Sequence, residues 1–474
     1  MKTQPHDRLP DFYELAVAAH LSILLVGVSW AFGGNADWVR TPISIWGSLG
    51  IVLSITILAR ERMRIEVLPG TFLWALPVIV LNGVVALSCL TPGFRVVTFR
   101  GEDLFMPLYV SWYIPSTAKS GLSFQALWLF DGLYFSCLNL ALAVRSRHII
   151  RVVFATAVGN ALVLSVFGIV QKLNGSNGIF FGLVRSPQDF FFSSFVYDNH
   201  WGAFVILMTG ACIGLVLRYI ESTRGSGFFR GPALMGLVAT GLLATTVPLS
   251  GARACTLLLA LMLGLALIRG IPRVSSALRL SGLSTAGALA AMALIAAIAI
   301  AGFWMTAGNA ITARIVKTRE QAAVMWTDGG LGSRGILYRD TLRMARDRLL
   351  FGWGMGSYPT VFTLYNSIRP NRDGIPQVYH DAHSDWLQSL AEIGLAGTGL
   401  IGAAAVLPSI AIGRHRVSPL PFFLLCGCVL VAAYSLIEFP FGNVAVVLAW
   451  WLCFFGAVQY IRLTPPHKAA QTGA

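Results

Sequence analysis

What most constrains this chain is the recurrence of long apolar runs. Twelve stretches, at roughly 13–33, 41–59, 71–90, 122–143, 152–172, 199–217, 233–250, 254–270, 282–304, 385–411, 419–438 and 442–461, are apolar over about the length a helix needs to cross a bilayer. Composition agrees. Of 474 residues 56% are hydrophobic and 12% charged, and the mean hydropathy is +0.70, far from the range of soluble domains. The expected fold class is an all-α polytopic membrane protein of about twelve transmembrane helices. The first run lacks a small-residue cleavage site and is long enough to remain as a span, so no removable signal peptide is expected.

Basic residues orient the spans. Arg60, Arg62 and Arg64, then Arg145, Arg147 and Arg151, then Arg218, Arg224 and Arg230, then Arg269, Arg273 and Arg279, then Arg414 and Arg416 occupy alternate short loops. All of these loops fall on the side of both termini, which the positive-inside rule makes cytoplasmic. Three longer segments then face outward: 91–121, 173–198 and 305–384. The expected domains are 1–304 with helices one to nine, 305–384 as a large, partly helical periplasmic loop domain, and 385–474 with three more helices and a short cytoplasmic tail. The formal charge of +14 reads as arginine-rich loops beside anionic membrane lipids. Nucleic acid is excluded as a partner, because no soluble basic domain exists. The seven cysteines sit in or at the ends of apolar runs, which argues against a disulfide framework or a zinc site.

Candidate chemistry gathers on the outward side. The stretch Val378 to Gly394 starts polar and turns within a few residues into an apolar helix that Ser384 or Asp385 can cap. That places His383 at the membrane surface, wet enough to titrate and suited to proton transfer. Its bland alternative is an interfacial histidine that only hydrogen-bonds near a helix start. Within the long loop, Ser333 to Leu350 reads as a helix with Arg339, Arg343 and Arg346 along one face. Such a face either snorkels onto headgroups or forms a basic wall towards a phosphate-bearing substrate. The glycine run Gly352-Trp353-Gly354-Met355-Gly356 reads as a turn back towards the bilayer, since no strand precedes it. His380, Asp381 and His383 lack the ligand spacing of a metal site. Asp131 and Glu392 lie inside spans, where they either carry protons or pair with an interior arginine or hydroxyl, the second being favoured. Arg253 tips a tight outward turn, as a phosphate-binding fork or as an interfacial anchor.

These motifs resemble a known superfamily. Leu249-Ser250-Gly251-Ala252-Arg253-Ala254 resembles the arginine-bearing turn of the O-antigen ligase and polymerase superfamily of bacterial membrane glycosyltransferases. Gly332-Ser333-Arg334 through Arg339, followed by Leu350 to Tyr358, is similar to its loop helix and glycine pattern. His383-Ser384-Asp385-Trp386-Leu387-Gln388 to Gly397 is similar to its histidine signature, and Tyr197 to Ala203 to the start of an earlier span. Ser250 and Ala252 depart from the small polar residues usual before the arginine, and Ser384 stands where asparagine is common. The resemblance implies a glycosyltransferase C-like fold in the bacterial inner membrane. It also implies transfer of a glycan from undecaprenyl diphosphate to a glycan or lipid A-core acceptor at the periplasmic face, with neither metal nor cofactor. It implies Arg253 and Arg334 as catalytic groups on the diphosphate and His383 as catalytic base. Arg339, Arg185, Arg343 and Glu392 are further substrate-binding candidates. Two other readings stay open: a precursor transporter or lipid flippase, which would want repeats and midplane acids, and a sensor or scaffold without chemistry.

Overall fold

In a bilayer the backbone must satisfy its own hydrogen bonds, so long apolar runs become helices. The computed structural model describes residues 10–62, 68–99, 102–188, 190–223, 231–280, 286–287, 332–368, 378–410, 412–413 and 417–464. In chain order the helices are α1 Phe12–Trp30, α2 Asp37–Arg62, α3 Leu68–Leu90, α4 Ser120–Ala143, α5 Arg147–Leu173, α6 Asp198–Thr223, α7 Pro232–Ser250 and α8 Arg253–Leu280. They continue with α9 Gly332–Asp347, α10 Asp385–Ile410, α11 Pro419–Tyr434 and α12 Val444–Arg462. Among the described residues ten helices are long and apolar enough to cross a membrane, and α11 is a shorter apolar helix. The chain is therefore a multi-pass, all-α membrane protein, as its apolar runs imply. The expected span 282–304 lies, but for two residues, outside the described residues, as do 305–331 and 369–377 of the long loop.

The bundle is built around α12, which is buried nearly all round. Its Trp451 and Phe455 meet Tyr134 of α4 edge-on, with ring centroids 4.8 and 5.4 Å apart. Where α2 crosses α4, Gly47 lies against Gly132, and a Cβ on Gly47 would come within 2.9 Å of the Gly132 Cα. Only a small residue allows that approach. Buried polar groups pair across helices: Ser54 donates to Asn139 Oδ1 at 2.8 Å, and His20 Nε2 lies 2.8 Å from Ser136 Oγ. Asp131 takes the Asn82 amide at 3.0 Å, so its partner is neither an arginine nor a hydroxyl.

Two small antiparallel hairpins interrupt the helices, β1 Phe94–Phe99 with β2 Glu102–Pro107 and β3 Gly178–Ile179 with β4 Val184–Arg185. Neither is foreseen in the sequence reading. The first packs into a second core, separate from that of the bundle, where Phe94 and Ala118 join Leu337, Met344, Trp353, Tyr358, Phe362 and Ala391. That core fastens α9 to the membrane helices.

A break in α10 completes the fastening. Gly394 adopts φ 64°, ψ −169° inside the helix, leaving backbone groups without helical partners. The turn segment after α9 supplies them. Trp353 N–H donates to Ala391 O (2.9 Å), Gly354 N–H to Glu392 O (2.8 Å), and Leu395 and Ala396 N–H donate to Leu349 O (2.8 Å) and Leu350 O (3.0 Å). The glycine run is thus a turn, as its sequence suggests, clamped side by side onto a split membrane helix.

Candidate active site

The site lies at the end of the bundle where α6, α8, α10 and α12 begin and α11 ends. The expected eleventh span, 419–438, stops being helical at Tyr434. Pro440 cannot extend a helix and biases Phe439 away from helical geometry. The chain between them is held by Asp385, whose N–H donates to Ser435 O (3.0 Å) and Glu438 O (3.2 Å). The Asp385 carboxylate accepts from Phe441 N–H at 2.9 Å. Ser384, not Asp385, caps α10, accepting from Leu387 N–H at 3.4 Å. This unwound linker carries Glu438 inward.

Glu438 is the hub. Its side chain is 5% exposed, and Oε1 forms an ion pair with the half-exposed Arg334 of α9. Its Oε2 lies 3.5 Å from His383 Nδ1, at the outer edge of hydrogen-bond reach. Burial pushes the Glu438 carboxyl up, but the His383 hydrogen bond and the Arg334 charge outweigh it and hold it below the usual glutamate range. Burial likewise lowers Arg334, and the Glu438 charge more than restores it, leaving the guanidinium above its ordinary value.

His383 is 28% exposed and sits at φ 51°, the left-handed region that a non-glycine residue rarely adopts. The fold holds it there: Tyr338 of α9 donates to its carbonyl at 2.9 Å, and its ring meets Phe439 edge-on at 4.8 Å. Phe439 is itself framed by Tyr197, stacked at 5.4 Å, and by His200, edge-on at 5.1 Å. His200 Nε2 lies 3.1 Å from Phe439 O, and its Nδ1 lies 3.4 Å from the Asn35 amide. Asp381, two residues before His383, is raised by burial, against the pull of His383, His380 and Arg40.

The remaining candidates lie on α8, α9, α10 and the second hairpin. Arg253 is the first residue of α8, after Gly251 closes α7 in left-handed geometry at φ 100°. The α8 start packs on α6, with Cys255 Sγ 3.7 Å from Asn199 O, next to His200. Arg253 therefore stands at the same end of the bundle as Glu438. Arg339 and Arg343 flank the fully buried Asp340, at 3.4 and 3.6 Å, on the exposed side of α9. Arg339 also donates to Ser367 Oγ at 2.9 Å. Arg185 is exposed on the second hairpin, outside the contacts made around Glu438. Glu392 accepts from the N–H groups of Gly356 (2.8 Å) and Tyr358 (3.0 Å). Its carboxylate is taken up in holding the glycine turn, not by an arginine or a hydroxyl.

The sequence reading misses Glu438. A signal existed: ionisable groups within apolar spans are costly, and Glu438 is the last residue of the expected span 419–438. His200 and Phe439 carry no comparable signal, because their roles arise from packing.

No protein of curated function matches the chain by sequence. Residues 238–402, about a third of the chain, match the O-antigen ligase family. That stretch runs from within α7 through Arg253, α9, Arg334 and the glycine turn to His383 and the split α10, and the match supports the resemblance of these motifs to the O-antigen ligase and polymerase superfamily.

Proposed function

We propose that the protein is a metal-independent glycosyltransferase of the bacterial inner membrane that works at the periplasmic face. It moves a glycan from undecaprenyl diphosphate to a sugar hydroxyl, as an O-antigen ligase or as an O-antigen or exopolysaccharide polymerase. The observation that carries this reading is the pairing of a cation and a histidine on one buried carboxylate, Arg334 and His383 on Glu438. The acceptor oxygen bonds to the anomeric carbon as the bond from that carbon to the diphosphate breaks. The hydroxyl proton passes to His383, and the electron pair leaves with the diphosphate. Fixed cations aimed at the departing oxygens stabilise the charge that develops there, a role for Arg334 and for Arg253 at the start of α8. A neutral His383 within reach of the hydroxyl contributes about 10²–10⁴-fold as base. Arg339, Arg343 and Arg185 offer further contacts for phosphate or glycan, and membrane lipids surround the whole.

Complementation tests the reading. A strain lacking the native gene receives wild type, His383→Ala, Arg253→Ala or Arg334→Ala, with membrane insertion checked and surface polysaccharide resolved on gels. Each variant is expected to insert and to lose glycan. Loss of the lipid A-linked band identifies a ligase, and loss of chain length a polymerase. A normal profile from His383→Ala removes the base and, with it, the proposal. Transfer by the purified protein is expected to persist in excess chelator.

A further inference from the structure

The two contacts of Glu438 are unequal. Arg334 is closely paired at Oε1, while His383 Nδ1 waits 3.5 Å from Oε2. The main chain of Glu438 is fixed at both ends, its N–H donating to Tyr434 O at 3.1 Å and its carbonyl accepting from Asp385 N–H at 3.2 Å. Only the side chain is free to re-aim, and His383 is the next hydrogen-bonding group in its reach. Any anion that takes Arg334 therefore releases the carboxylate towards the histidine.

We propose that Glu438 is a positioning residue that passes from Arg334 to His383 when a diphosphate-bearing donor occupies Arg334, so that the base is oriented only in the loaded site. This rests on the roles of Arg334 and His383 given under Proposed function. No proton moves in the exchange: the guanidinium trades a carboxylate oxygen for a phosphate oxygen, and Glu438 then accepts the Nδ1–H of His383. That bond fixes the tautomer whose Nε2 lone pair is bare and ready to take the acceptor proton. In the empty site Glu438 is shared, closely paired with Arg334 and reaching His383 only at 3.5 Å, so the base is loosely held. Other ionisable groups facing this centre are Tyr338 on α9, Tyr197, Asp198 and His200 at the start of α6, Cys255 on α8, Tyr434 at the end of α11, Arg40 on α2, and His380, Asp381 and Asp385 on the histidine's own segment.

The test uses the full chain in nanodiscs, with a lipid diphosphate-linked glycan as donor and steady-state transfer measured against pH. Glu438→Gln removes the charge that competes for Arg334, so the donor KM is expected to fall severalfold. The same change removes the carboxylate from His383, so kcat is expected to fall about 10–100-fold. The acid limb of the kcat profile is expected to move to lower pH, because the carboxylate facing His383 in the loaded site is gone. Glu438→Asp, which keeps the charge but draws it back by one methylene, is expected to lower kcat while holding the acid limb near wild type. A merely structural glutamate would raise KM or leave the limb in place. A Glu438→Gln enzyme with unchanged kcat and limb, or with KM raised in step with lost kcat, overturns the proposal. Should Glu438→Gln fail to insert, a Glu438→Asp enzyme with wild-type kcat overturns it. Transfer retained by His383→Ala or Arg334→Ala in the same assay would instead overturn the underlying assignment of the site.

Discussion

The single proton of the Tyr338 hydroxyl is shared between two carbonyls from different parts of the chain, His383 O at 2.9 Å and Ile437 O at 3.1 Å. One phenol thus pins the histidine segment and the Glu438 linker to α9, which itself carries Arg334. Tyr338→Phe keeps the ring and removes the pin. Stability is expected to drop by about 1 kcal/mol, the usual net worth of such a bond. Transfer is expected to fall on the order of tenfold, because the reacting groups lose registration. Thermal unfolding alongside a transfer assay separates the two. Full activity in Tyr338→Phe would show that α9 does not set the histidine.

Asp340 and its arginines should behave asymmetrically. The carboxylate is wholly buried and accepts from Ser367 N–H (2.8 Å) and Oγ (2.6 Å), whereas the Arg339 and Arg343 side chains are 54% and 59% exposed. Asp340→Ala removes both bonds to Ser367 and empties a buried position, and is expected to cost on the order of 1–3 kcal/mol. Arg339→Ala and Arg343→Ala are expected to cost less than about 1 kcal/mol each while weakening donor binding. Equal destabilisation by all three would mean that the arginines serve the fold and not the substrate.

Gly394 has no substitute. A Cβ there would stand 2.4 Å from Leu350 O, at φ 64°. Gly394→Ala is expected to destabilise by about 3 kcal/mol or more, from backbone strain and from lost bonds to Leu349 and Leu350. Its thermal midpoint should fall well below that of a control such as Gly399→Ala, where a Cβ meets nothing within 4 Å. Equal midpoints would refute the clamp.

The pH dependence of stability follows from Glu438. Its folded value lies below the ordinary one, so its contribution is complete above about pH 5 and is lost as pH falls through the folded value. Asp381, raised chiefly by burial, acts in the opposite sense in both wild type and Glu438→Gln, and only the part of its shift that the Glu438 charge causes enters their difference. That difference should shrink as pH falls below about 5, through the folded value of Glu438. A gap already closing near neutrality would exclude the ion pair with Arg334.

The spans were legible because crossing a bilayer fixes both length and apolarity, and ten described helices fall on the expected runs. The loop helix was legible too, since its arginines repeat at helical spacing: Ser333–Leu350 is expected and Gly332–Asp347 is found. The contacts among distant residues were not. Nothing in the sequence says that Glu438, 104 positions from Arg334, would close on it, or that Glu392 would spend its carboxylate on two backbone N–H groups. Hydropathy also hides the break at Gly394, because a split helix and a whole one are equally apolar. Likewise 94–107 is too polar to read as a span and too short to announce a hairpin.

The split helix has a bearing on how the chain is made. Its missing partners come from Leu349 to Gly354, some forty residues earlier than Leu395 and Ala396. They leave the ribosome first. When α10 enters the membrane, the segment that completes its broken turn has already been synthesised, so the weakest point of that helix need never wait for its template.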